Sequence, residues 1–132
     1  ERKSKVKEAA NLLSGIVYGN VRRLTMIPSL VHFLFAGIDE EGLHLYDIYP
    51  DGSISKIEKH VATGSGSMLA YGLFESNYED DISKDDAIEL AVKGVNSAMK
   101  RDTATGEGID VVLIDDSGIE KIMTKKVEKK LQ

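Results

Sequence analysis

A chain of 132 residues, 42% of them apolar, has the size of one compact domain and enough hydrophobic material to bury a core. Its net charge of −5, with basic residues scattered along the chain, leaves no electrostatic footprint for nucleic acid or an anionic membrane, and the lack of cysteine excludes disulfides and thiolate metal sites. The N-terminus is charged where a signal segment is apolar, and no apolar run approaches the ~18 residues of a membrane span, so a soluble cytoplasmic protein is expected.

Val6, Ala9, Ala10, Leu13, Ile16 and Val17 recur at helical spacing and predict an amphipathic helix from Ser4 to about Val21, with Ser4 as its cap. Pro28 interrupts the chain, and Leu30 to Ile38 then reads as a strand so evenly apolar that both of its faces should be covered. Gly42 to Tyr49 alternates as a second strand. Pro50-Asp51-Gly52-Ser53 is a turn, and Ile54 to Val61 completes a hairpin.

Beyond Gly64 and Gly66, Leu69, Ala70, Leu73 and Phe74 mark a helix from Ser67 to about Tyr78. Ser83 then offers a cap, with Asp85 and Asp86 in the first turn of a second helix that keeps Ala87, Ile88, Ala91, Val95, Ala98 and Met99 on one stripe and ends near Arg101. Ile109 to Ile114 and Ile119 to Met123 are short strands about the turn Asp115-Asp116-Ser117-Gly118, and Lys125 to Gln132 reads as a frayed, solvated helix. Strands, then helices, then strands, without regular β-α-β alternation, give an α+β class with helices packed on sheets, in one domain over residues 1–132.

Two loops concentrate chemistry. Gly64-Ser65-Gly66-Ser67 permits a sharp turn and a close backbone approach, with two hydroxyls in it. Its plain reading is a helix-start turn in which Ser65 or Ser67 caps the next helix. Phosphate cradling is the rival, but no Lys-Ser/Thr follows and the helix runs into another helix, unlike a nucleotide-binding unit. In Arg101-Asp102-Thr103-Ala104-Thr105-Gly106-Glu107-Gly108, the basic residues suit a helix C-terminus, whereas Asp102 opposes the helix dipole and needs compensation, for which Thr103 and Thr105 supply hydroxyls. The plain alternative is an Asp-Thr turn that merely opens a loop.

Taken together, in order and spacing, these segments resemble the proteasome β-subunit family. Gly64 to Glu75 resembles its G-S-G-S-x-x-A-Y-G-x-L-E stretch, and Arg101 to Ile109 its R-D-[ST]-x-[ST]-G-x-G-[IV] stretch. The resemblance covers essentially the whole chain and implies the four-layer α-β-β-α sandwich of N-terminal nucleophile hydrolases. This chain would be the C-terminal two-thirds only, since the family polypeptide begins with a catalytic threonine and this one with Glu1.

The implied activity is that of a threonine endopeptidase: the N-terminal hydroxyl attacks a peptide carbonyl while its own amine or a nearby lysine manages the proton. Carried over by position, Ser65 matches the serine near the nucleophile's amine, Asp102 the carboxylate that supports its geometry, and Thr105 a position usually held by serine. All three are supporting residues, and the nucleophile is not in this chain. Implied partners are other β subunits in a seven-membered ring, an α ring and unfolded polypeptide. A non-catalytic ring subunit, the bacterial relative that forms six-membered rings and a nucleotide-binding module are the alternatives. The family also reads L-Y-x-x-D-P-x-G-S where this chain has Leu45 to Ser53, and Tyr49 stands at the aspartate from which the family reaches a neighbouring subunit's substrate channel.

His32, His44 and His60 lie far apart without ligand spacing, so packing or surface roles, no metal and no cofactor are expected. Tyr18, Met26, Phe33 and Phe35 are expected to pack in the core or at a subunit contact.

Overall fold

The computed structural model describes residues 5–22 and 32–126. Eight elements follow in order: α1 (Val6–Arg22), β1 (Phe33–Asp39), β2 (Gly42–Ile48), β3 (Ile54–Lys56), α2 (Ser67–Asn77), α3 (Lys84–Arg101), β4 (Gly108–Asp115) and β5 (Gly118–Lys126). They fall into two compact units, one of residues up to Glu58 with Ile114–Gly118, the other of Lys59–Leu113 with the chain from Ile119 on.

In the first unit β1, β2 and β3 form an antiparallel sheet in that order, and α1 packs on β1 and β2. Register places Phe35 opposite Tyr46 and Ile48 between Phe33 and Ile54. Val6, Ala10 and Tyr46 make the buried centre, with Phe35 and Ile54 against it, and Ile48 is fully buried. Gly37 lets the helix come close, since a β-carbon there would sit 3.0 Å from Val6 Cγ2. At Gly52 the need is stronger: φ is +86°, and a β-carbon would fall within 2.8 Å of the Tyr18 backbone. The same turn is tied to α1 by the Ser14 hydroxyl, which donates to the Gly52 carbonyl.

The start of α1 is capped from a distance. The Ser4 cap expected from sequence lies outside the described residues. Among the described residues the Val6 N–H donates to Asp39 Oδ2 at 3.0 Å, while Asp39 Oδ1 accepts from the Glu41 N–H at 2.8 Å and lies 2.9 Å from His44 Nε2. The Val6 amide, chiefly, holds the Asp39 carboxyl at about 2 instead of 3.8. Partial burial opposes it, and His44 and the Glu41 amide add to the lowering. A depressed carboxylate stabilises the fold fully above its unfolded value, and the contribution disappears as pH falls through the folded one. Denaturant midpoints of the chain should therefore drop between about pH 4 and about pH 2. Asp39→Asn should flatten that drop; an equally steep drop in the variant would remove Asp39 from the acid response.

Two strands differ from expectation. Over Phe33–Ala36 β1 alternates between half-buried and exposed residues, with Leu34 and Ala36 exposed, while Gly37–Asp39 are half-buried, so its outer face is open at those two positions. An antiparallel sheet with a helix on one side has this pattern, and the apolar run reads as doubly buried only because its outer positions are also apolar. β3 stops at Lys56 and does not reach Val61. One further ladder-like bond, from Ile57 N–H to Leu45 C=O at 2.8 Å, follows before the chain bends away.

In the second unit α2 and α3 pack as an antiparallel pair along a seam of small residues, Ala70, Gly94 and Ala98, all buried. Ser83 caps α3 as expected, its hydroxyl accepting the Asp86 N–H at 3.1 Å. β4 and β5 form a two-stranded hairpin whose turn at Asp116-Ser117 is counted with the first unit. Lys125 and Lys126 belong to β5, strand where the start of a frayed helix was expected, and residues 127–132 of that expected helix lie outside the described residues. Among the described residues no helix is long and apolar enough to cross a membrane.

Candidate active site

The open end of the α2–α3 pair gathers the polar groups of both motif loops. Lys100 and Arg101 close the last turn of α3 and suit its negative end. Asp102 then leaves the helix with φ −110° and ψ 112°, its N–H still bonded to the Ala98 carbonyl at 2.8 Å. Its carboxylate receives the compensation its position demands. Oδ1 accepts the Ala104 N–H at 3.1 Å, and Oδ2 accepts the Thr105 hydroxyl at 2.8 Å. From 37 residues earlier in the chain, the Ser65 hydroxyl donates to the same Oδ2. The structure thus brings Ser65, Asp102 and Thr105 together.

Local backbone explains how Ser65 arrives there. Gly64 has φ +102°, a left-handed value that glycine adopts without strain, and its carbonyl accepts the Ser67 N–H at 3.1 Å. Gly66 is the N-cap that precedes α2, and no side chain caps that helix. The capping role considered for Ser65 is therefore not the one it plays; its proton goes to Asp102. Gly66 itself is buried against α3: a β-carbon on it would lie 2.7 Å from Ala98 Cβ, 2.7 Å from Thr105 Oγ1 and 3.4 Å from Asp102 Oδ2.

The chemistry follows from which way the protons point. A hydroxyl that gives its hydrogen to a carboxylate keeps lone pairs for a second partner. With both hydroxyls donating to one ionised oxygen, the cluster is an acceptor array. It suits an amine or a water molecule that has N–H or O–H groups to give. Ser65 is exposed and Asp102 and Thr105 are half-buried, so such a partner can approach.

Elsewhere two of the three histidines, His32 and His44, meet carboxylates that spacing did not announce. His32 Nε2 meets the buried Asp47, and its ring lies 5.1 Å from that of Tyr49 at the end of β2. His60 sits among Tyr71, Phe74 and Tyr78, with ring centroids 5.1–6.1 Å away. Asp39, Glu41 and His44 place ligand atoms within 4.8 Å of one another, the arrangement among the described residues that could hold a cation. Their partners are already the Lys5 ammonium, 2.6 Å from Glu41, the Val6 N–H and each other. That pattern fits a clip between helix and hairpin. Tyr18 and Tyr49 are substantially exposed, Phe33 and Phe35 half-buried, and Met26 lies outside the described residues.

Residues 1–114 match the family model described as proteasome subunit. The proteasome subunit beta of Ferroglobus placidus is 42% identical over 128 residues, which are 97% of this chain and 59% of that protein. Proteasome subunit beta 2 of Thermofilum pendens is 48% identical over 114 residues, 86% of this chain and 53% of its own length. For the proteasome subunit beta of Archaeoglobus profundus the figures are 44% over 130 residues, 98% and 58%. The chain thus spans between half and three-fifths of the length of these curated relatives.

Proposed function

The chain belongs to the proteasome subunit family, and from that premise we propose that the intact subunit is a threonine-type endopeptidase of the proteasome core. Its fold is of the N-terminal nucleophile hydrolase type, α+β with helices and antiparallel sheets. The observation that carries the catalytic reading is the double donation of the Ser65 and Thr105 hydroxyls to Asp102 Oδ2.

In this reading the nucleophile is an N-terminal threonine whose α-amine docks on the acceptor array. The amine's hydrogens point to the Ser65 and Thr105 oxygens, which directs its own lone pair toward the threonine hydroxyl as a proton acceptor. Asp102 holds both hydroxyls in that sense and supplies a fixed negative field that favours the ammonium formed once the proton has moved. None of the three attacks the peptide, and no cofactor or metal is required. The subunit works in a seven-membered ring with other β subunits, beneath an α ring that delivers unfolded polypeptide, in the cytoplasm and away from nucleic acid and membrane. Confinement within a closed ring would keep such an exposed site from folded proteins.

The test is covalent. Assembled rings containing the subunit should be labelled at the N-terminal threonine by an electrophile that requires both the hydroxyl and the α-amine. Rings that assemble and stay unlabelled at saturating reagent would make this a non-catalytic ring subunit.

A further inference from the structure

Conformation does not explain why residue 66 is glycine. With φ −92° and ψ 6° it occupies backbone space open to any residue, whereas Gly64 at φ +102° needs its freedom. Space explains it. A β-carbon at 66 would stand 2.7 Å from both Ala98 Cβ and Thr105 Oγ1, closer than unbonded atoms settle. Ala98 Cβ is fixed to the α3 backbone and has no rotamer with which to yield. Thr105 Oγ1 is the hydroxyl that donates to Asp102.

We infer that Gly66 is a positioning residue of the Asp102 site, its bare α-carbon setting the approach of the 64–67 turn to the carboxylate. A methyl group at 66 has two ways out. The turn lifts off α3 and carries Ser65 away from Asp102, or Thr105 rotates about χ1 and takes its hydroxyl off Oδ2. Each breaks one of the two donations on which the acceptor array depends. The purpose of the positioning rests on the catalytic reading above; the geometry does not.

Gly94 supplies the control. It belongs to the same helix seam, and a β-carbon there would meet Phe74 Cε1 at 2.7 Å and Cζ at 2.9 Å. It lies eight residues before Asp102, roughly 12 Å along the helix axis, and a ring can swing aside where a backbone-fixed methyl cannot.

Crystal structures of Gly66→Ala and Gly94→Ala in this chain decide the matter. Gly66→Ala should lengthen at least one hydroxyl-to-Asp102 contact beyond about 3.5 Å, and Gly94→Ala should keep both. If Gly66→Ala does not fold, Gly66→Ala with Ala98→Gly opens the helix side only, and Thr105 should remain displaced. Both donations intact in a Gly66 variant, or both variants disturbing Asp102 alike, would overturn the inference. In the assembled subunit, Gly66→Ala should lower kcat by up to about 100-fold with KM within about twofold. A displaced hydroxyl with undiminished kcat would leave the positioning standing and overturn the catalytic reading instead.

Discussion

Asp102→Asn should reduce the turnover of the assembled subunit by about 10²- to 10⁴-fold, with little change in stability. The substitution keeps size and shape but reverses hydrogen-bond direction. Oδ1 must go on accepting from the Ala104 N–H, because the flipped amide would set donor against donor. The new NH₂ group therefore faces Ser65 and Thr105 in place of Oδ2, and both hydroxyls must accept from it. Their own protons then turn outward. An arriving amine meets donors where it previously met lone pairs, and the negative charge is gone as well. Turnover of a fluorogenic peptide and the melting temperature, measured on the same preparation, separate the effect on chemistry from any effect on folding. Activity within threefold of the parent would take Asp102 out of the mechanism.

The largest effect on folding is expected at Ile48, which is 0% exposed and held between Phe33 on β1 and Ile54 on β3. Truncation to alanine removes three carbons from a site whose neighbours are pinned by strand pairing, so the space cannot close fully. The cost should be about 2–5 kcal/mol. For a chain of this size that lowers the melting midpoint on the order of 10 °C. Leu43→Ala, five residues earlier on β2 and 57% exposed, should stay within about 0.5 kcal/mol and serves as the comparison. A loss below about 1 kcal/mol at Ile48 would mean that this side chain is not held in a packed interior.

What could be read from the residues alone depended on how far apart the partners lie. Ser83 and Asp86 cap α3 three residues apart, and that spacing is written in the chain. The need of Asp102 for compensation followed from its place after a helix end, and Thr105 as a donor three residues on is again local. Ser65 is different: by local rules it reads as a helix cap, and only the family resemblance paired its loop with that of Asp102. Asp39 reaching back 33 residues to the Val6 amide, and His32 reaching Asp47, have no periodic signature at all. The exposed outer face of β1 escaped notice because Leu34 is as apolar as its covered neighbours. β3 ended early because β propensity through Val61 counts for nothing once the chain after Ile57 bends away from β2.

The serine turn and the aspartate sit at the two free ends of one helical hairpin, and its closed end, residues 78–83, is the far side from both. Additions or deletions of a few residues at that closed end change only how the helices are joined, for a modest entropic cost. A single residue gained or lost at 64–66 or 102–105 shifts one hydroxyl out of reach of the carboxylate. Natural variation in length between Ser65 and Asp102 is therefore expected to collect in residues 78–83, with the spacing at the open end held constant.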